Sequence, residues 1–179
     1  MTDQRKRMTK EERMKLYAKI LPEAENQKIW AVLHNQFGIQ PEQYQGKYGF
    51  VENRKGRLWL GSKKALEFVA DEGFDPAKVL TLAIGRRITP TESNVEGVRL
   101  TLDGVLFFGP DALQKNLLQL TPAEEALWFS GQTITREGLA DGAYILASAS
   151  HGRPIGCTTC KNGLMYNFVP KWRRYPRPS

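Results

Sequence analysis

The chain is poor in the residues that most enzymes and secreted scaffolds depend on. It has two cysteines and two histidines in 179 residues. Two cysteines cannot build a disulfide framework, and two histidines without clustered carboxylates leave little for acid–base or nucleophilic catalysis. There is no G-x-G-x-x-G run and no alternation of strands with helices, which a nucleotide-type fold would need. No enzyme activity, cofactor or metal is therefore expected. Apolar runs extend only a few residues, far short of the ~18 that a membrane span needs. The N-terminal MTDQRKRMTKEER has no apolar h-region, so a cytoplasmic protein without a membrane partner is expected.

The most informative absence is of acid. From Gly142 to Ser179 there is no Asp or Glu, while Arg153, Lys161, Lys171, Arg173, Arg174 and Arg177 are all basic. The whole chain carries 26 Lys+Arg against 19 Asp+Glu, a net +7, so nearly all the excess sits at one end. Aromatics interleave with these bases in KNGLMYNFVPKWRRY, Lys161 to Tyr175. That pairing suits a partner with phosphates to neutralise and bases to stack. The competing reading is an uncompensated terminal segment that serves solubility.

What is present reads, in order, as follows. Residues 1–8 form a basic arm. Thr9-Lys10-Glu11-Glu12 is a capping box, predicting a helix from Lys10 to Ile20 with Met14, Tyr17, Ile20 and Leu21 inward. A second helix, Glu23 to Phe37, puts Ile29, Trp30, Leu33 and Phe37 on one stripe and ends at Gly38; His34 is a polar edge residue beside it. YGFVE and RLWLG flank the turn Asn53-Arg54-Lys55-Gly56 as two strands. Ser62 caps a helix over Lys63–Ala70 that buries Ala65, Leu66, Phe68 and Val69. Residues 71–76 are loop and Val79–Ile84 is a strand. Asp103-Gly104 between VRLTL and VLFFG predicts a hairpin.

A boundary is expected at Gly109-Pro110-Asp111. Thr121-Pro122-Ala123-Glu124 then combines an N-cap, a proline at the first helical position and a Glu at N3, starting a helix that stops at Gly131. AYILASA, PIGCTTC and GLMYNFV follow as a three-strand meander with a type I′ turn at Asn162-Gly163, and Pro170 ends it. Alternation along the last strand puts Asn167 toward solvent and Tyr166 toward the core. The expected fold is α+β, divided as arm 1–8, an α+β region 9–110, a β-rich region 111–175 and a tail 176–179.

The order helix (EEALWFSGQTI), strand (DGAYIL), turn HGRPIG and return strand, with the ending NGLMYNFVPKWRR, resembles the PUA domain. It looks like the PUA-type RNA-binding domain at the C-terminus of NOL/NOP/Sun-type rRNA cytosine methyltransferases and of related small archaeal proteins. The resemblance is specific in pattern over the last ~65 residues. Over the first ~110 residues it extends, more loosely and by order of elements, to the α+β pre-PUA region that precedes such domains. It implies a C-terminal PUA-like β-barrel and a non-catalytic protein binding rRNA or tRNA in ribosome assembly, RNA modification or ribosome association. A ribosomal subunit or an rRNA methyltransferase acting in trans would be its protein-side partner. RNA would lie near Gly131-Gln132-Thr133, the Gly152-Arg153-Pro154 turn and a closing basic strand. The expected contacts are Gln132, Arg153, Lys161, Lys171, Trp172, Arg173, Arg174 and Tyr175. The methyltransferase itself is not expected, because the cofactor-binding fold is missing and neither cysteine follows a proline.

Cys157-Thr158-Thr159-Cys160 departs from that family pattern. A single CxxC lacks the four ligands of a structural zinc site. In an extended strand, moreover, residues three apart point to opposite faces, so the two thiols do not chelate one ion. A redox pair needs the motif to open a helix, and these flanks are strand-like. The alternative function is a protein–protein adaptor in which Phe168, Trp172 and Tyr175 dock a partner.

Overall fold

The computed structural model describes residues 18–88, 97–109 and 115–175. Within them the fold is α+β with two five-stranded sheets. The capping box at Thr9–Glu12, the arm, Pro110–Asp111 and the tail lie outside the described residues.

The helix expected to reach Ile20 does not: Lys19–Ile20 is strand β1, paired antiparallel with β2 (Tyr48–Glu52). Pro22 disfavours helical backbone at Leu21, and the Leu21 N–H instead donates to the Phe50 carbonyl at 2.9 Å. Helix α1 (Glu23–Phe37) has the expected bounds, with Ile29, Trp30, Leu33 and Phe37 buried. Gly38 ends it in the left-handed region at φ 84°, its N–H donating to the His34 carbonyl. The His34 ring is held by the Ile39 carbonyl at 3.1 Å, the edge role its position suggests. Asn26 ties α1 to the sheet, accepting from the Phe50 N–H at 2.8 Å and donating to the Leu21 carbonyl at 3.1 Å.

Strand β3 (Arg57–Ser62) pairs with β2 across the expected turn, where Asn53 accepts from the Lys55 and Arg57 amides at 3.0 Å. Ser62 caps α2 (Lys63–Asp71) through the Ala65 N–H. Leu66 and Val69 bury, but Phe68 does not: it is 55% exposed and packs on Phe74. Two residues on from Leu66 lies roughly 200° round the helix, on its outer side.

Two further expectations are corrected. Val79 belongs to a one-turn helix α3 (Pro76–Val79) capped by Asp75, so the next strand, β4, starts at Ala83 and takes in Gly85, Arg86 and Arg87 up to Ile88. Its partner β5 (Gly97–Leu100) leads into helix α4 (Leu102–Phe108), so Asp103-Gly104 opens a helix where a hairpin was expected. Thr101 overrides the turn signal by capping the Gly104 N–H at 3.1 Å while donating to the Ala83 carbonyl at 2.6 Å. The glycine serves packing, because a Cβ there would collide with the Ile84 carbonyl.

The second sheet comprises β6 (Leu117–Gln119), β7 (Ile134–Thr135), β8 (Gly142–Ala147), β9 (Pro154–Lys161) and β10 (Leu164–Met165). Their order is β6-β8-β9-β10-β7. Only β6–β8 is parallel, and β8-β9-β10 is the expected meander. The pairing is open at β6 and β7, a curled half-barrel. Asn162 and Gly163 sit at φ 52° and 74°, as a type I′ turn demands. The capping box of α5 (Pro122–Phe129) closes on both sides: Thr121 Oγ1 accepts from Glu124 N at 3.3 Å and Glu124 accepts from Thr121 N at 2.7 Å.

The largest core draws on both sheets. Trp30, Leu33, Phe37, Phe50, Ile84 and Leu100 pack with Val105 and Phe108 of α4 and with Ala143, Ile145 and Cys157 of β8 and β9. A second cluster, around Trp128, Ile134, Leu146 and Met165, seals α5 onto the second sheet. A third, with Val51, Trp59, Leu66 and Ala83, lies under α2 on the opposite side of the first sheet.

Candidate nucleic-acid interface

The chain after β10 is fastened along the C-terminal end of α5. Asn167, which alternation assigned to solvent, turns inward: its amide donates to the Trp128 carbonyl at 2.7 Å and the Gln132 carbonyl at 2.9 Å, and its oxygen accepts from Val169 N at 2.9 Å. The two-residue alternation persists, but with the faces exchanged: Met165, Asn167 and Val169 lie inward while Tyr166 and Phe168 are exposed. Tyr166 is 41% exposed, reversing the expectation for it. The closing basic strand is a 3-10 turn, Lys171–Arg173, because Pro170 starts a new element.

Beyond that turn, the Arg174 Nε donates to the Val169 carbonyl at 2.9 Å and its guanidinium lies over Gly131. The Gly131 φ of 83° already favours glycine, and the arginine fills the space a side chain would take. The Tyr175 N–H donates to the Phe129 carbonyl at 2.9 Å, and the two rings meet at 5.3 Å. Tyr175 and Phe129 line an open, mainly apolar groove of ≈ 410 Å³ with Pro122, Glu125, Ala126, Ala149 and Ser150. The one carboxylate there is engaged: Glu125 accepts from Ala149 N at 2.6 Å and from the Ser148 hydroxyl at 3.0 Å. Exposed Arg153 closes the loop that forms the groove's other wall, its carbonyl accepting from Ser148 N at 2.9 Å.

The fold therefore gathers some of the expected residues and separates others. Gln132, Arg174 and Tyr175 converge at the end of α5, and Arg153 belongs to the facing loop. Lys171 and Trp172 project into solvent, the indole 76% exposed. Arg173 is committed twice, over the Trp172 ring at 4.5 Å and to Asp103 at 3.8 Å. Lys161 stands apart at the far end of β9, roughly 25 Å of extended chain from Arg153. The sequence reading missed Phe129 as a groove wall, although it sits two residues before the helix-ending Gly131.

Cys157 and Cys160 are both buried and point into different clusters, the shared core and the α5 cluster. They cannot hold one ion between them. Burial pushes the Cys157 thiol up to about 12, so it stays neutral and unreactive at physiological pH. Among the described residues no group of three or more His, Cys, Asp or Glu is placed to hold a metal, and no helix is long and apolar enough to cross a membrane. Comparison with protein-family models and with curated proteins finds no match.

Proposed function

We propose that this is a non-catalytic RNA-binding protein of the PUA type, cytoplasmic, that engages rRNA or tRNA during ribosome assembly or RNA modification, alone or as the RNA-binding subunit of a methyltransferase in trans. The observation that carries the reading is the groove at the end of α5. An exposed tyrosine forms one wall, its acid is satisfied internally, and arginines stand on both flanks. An unpaired base can stack on Tyr175 while Arg153 and Lys171 hold phosphates. Phosphate contacts would position the RNA and the groove would read a base.

The test uses the full chain, because a cut after Asp141 would remove core residues Ala143, Ile145 and Cys157. Binding to folded rRNA should weaken steeply between about 50 and 200 mM salt. Tyr175→Ala should cost about 1–3 kcal/mol in affinity, a single stacked base, with no loss of stability. An absence of RNA binding at low salt overturns the proposal. The adaptor reading has its own support in the exposure of Tyr166, Phe168, Trp172 and Tyr175. It predicts a protein partner whose affinity barely responds to salt.

A further inference from the structure

The first sheet carries a row of arginines that form no ion pair with any described acid. Arg57 pairs with Arg86 across β3–β4, and Arg86 with Arg99 across β4–β5. Directly opposed residues of an antiparallel sheet project from the same face, and like charges so placed repel. Adjacent strands lie ≈ 4.8 Å apart, so the three stand within about 10 Å. Their neighbour Arg87 points to the other face, where Glu25 at 3.2 Å and Glu52 at 3.6 Å neutralise it. Among the described residues, Arg57, Arg86 and Arg99 have no salt bridge at all, and the Arg86 side chain has neither a hydrogen bond nor a ring contact.

The two outer arginines are held flat on aromatics: Arg57 lies over Trp59 at 5.1 Å and Arg99 over Phe168 at 3.6 Å. A stacked guanidinium keeps its planar fork of N–H donors free at the edge. Burial pulls the Arg99 guanidinium below its usual value, and among the described residues it has no salt bridge to offset that desolvation. Phe168 follows Asn167, the residue fastened to Trp128 and Gln132, so the row ends on the segment that builds the groove at α5.

We propose that Arg57, Arg86 and Arg99 form a phosphate track for a single RNA strand, extending the α5 groove across the first sheet by way of Phe168. The proposal rests on the RNA-binding reading above and adds a second contact surface to it. Three planar forks in a line, two of them stacked on rings, suit successive phosphates of one backbone. The contact is to phosphates, so it is independent of base sequence.

The experiment measures binding of a labelled single-stranded oligoribonucleotide and of folded rRNA to the full-length protein across a salt series. The variants are Arg57→Gln, Arg86→Gln and their double, with Tyr175→Ala and Arg86→Lys beside them. Each lost phosphate contact lowers the log–log salt slope by about 0.7 and affinity at about 0.1 M salt by about fivefold, so the double variant should bind about 25-fold more weakly. Arg86→Lys should keep most of the slope. Thermal melting of Arg86→Gln should be unchanged or higher, since a repulsion is relieved. If wild type binds RNA and Tyr175→Ala weakens it while the double variant binds as wild type does, the track is refuted and the groove reading survives. If wild type binds neither RNA, both fall. A marked fall in the melting temperature of Arg86→Gln would make the arginine structural and overturn the track as well.

Discussion

Asn167 is the most discriminating residue to perturb, because its polarity in an otherwise apolar strand and its observed geometry give opposite answers for it. Facing solvent, its truncation would change stability by less than about 0.5 kcal/mol. In the structure its side chain makes three hydrogen bonds, to the Trp128 and Gln132 carbonyls and from Val169 N, at 2.7, 2.9 and 2.9 Å. Asn167→Ala removes all three, leaving the Gln132 carbonyl and the Val169 N–H without their partner, while the Trp128 carbonyl keeps the Gly131 N–H at 3.0 Å. At about 1 kcal/mol net for each bond, the loss is about 2–4 kcal/mol, or a melting temperature lower by about 5–12 °C for a chain of this size. Asn167→Asp should do at least as much harm near neutral pH, since a carboxylate cannot donate and sets its charge against two carbonyl oxygens. Part of that loss should return on acidification, when the acid protonates and regains one donor. Urea titration with thermal melting at several pH values reads all of this. Wild-type midpoints for both variants would refute the tether, and with it the placement of Arg174 and Tyr175 against α5.

Gly104→Ala should destabilise by about 2–3 kcal/mol by overpacking against the Ile84 carbonyl, despite the ~1 kcal/mol by which alanine favours a helix interior; urea midpoints decide it. Burial pushes the Glu124 carboxyl up, but hydrogen bonds from Arg136 at 2.7 and 3.1 Å and from Thr121 N outweigh it, leaving the group below its ordinary value. A depressed folded value means its stabilisation is full above the unfolded Glu value near 4.3 and is lost as pH falls through the folded one. Glu124→Gln should therefore cost about 1–2 kcal/mol at pH 7 and progressively less in acid, as followed by melting against pH. The Cys157 thiol should resist alkylation at pH 8 in the native protein and label at once in denaturant, as mass spectrometry of the modified peptide would report.

The parts of the fold that could be read from the sequence are those whose signal is local and uncontested. The α1 stripe, the Ser62 cap, the Thr121 capping box, the Asn53–Gly56 turn and the Asn162-Gly163 turn each depend on residues within a few positions of one another. The misreadings share a physical cause, which is competition between two local signals settled by a distant partner. Asp103-Gly104 is a fair turn, but Thr101 can cap a helix over it, and the Ala83 and Ile84 backbone decides the matter. Lys19 and Ile20 would extend a helix, but β2 offers them an edge. Asn167 is polar in an apolar strand and reads as surface, until two carbonyls at the end of α5 claim its amide. The groove was half legible, since Gly131 and Arg153 marked its rims, whereas Phe129 and the Ser148–Arg153 loop meet only in three dimensions.

Charge was the property most distorted by reading it along the chain. The acid-free C-terminal stretch suggests that each of its bases is available to a partner, yet Arg174 is spent on the Val169 carbonyl and Arg173 on Trp172 and Asp103. Conversely, Arg57 has Glu52 close by in sequence, yet the two do not pair. Strand alternation then sends Arg87 to the acids on one face and leaves Arg57, Arg86 and Arg99 without an ion pair among the described residues on the other. Taking those three with Arg153 and Lys171 gives five cations whose side chains make no internal hydrogen bond or ion pair among the described residues. Single-stranded RNA should then bind with a log–log salt slope of about −3.5. Arg173→Gln and Arg174→Gln should leave that slope nearly unchanged, and Arg174→Gln should lower stability instead, because its Nε holds the closing segment. A slope that fell by about 0.7 for each of these two would mean they meet phosphates after all, and the division of labour drawn from their internal contacts would be wrong.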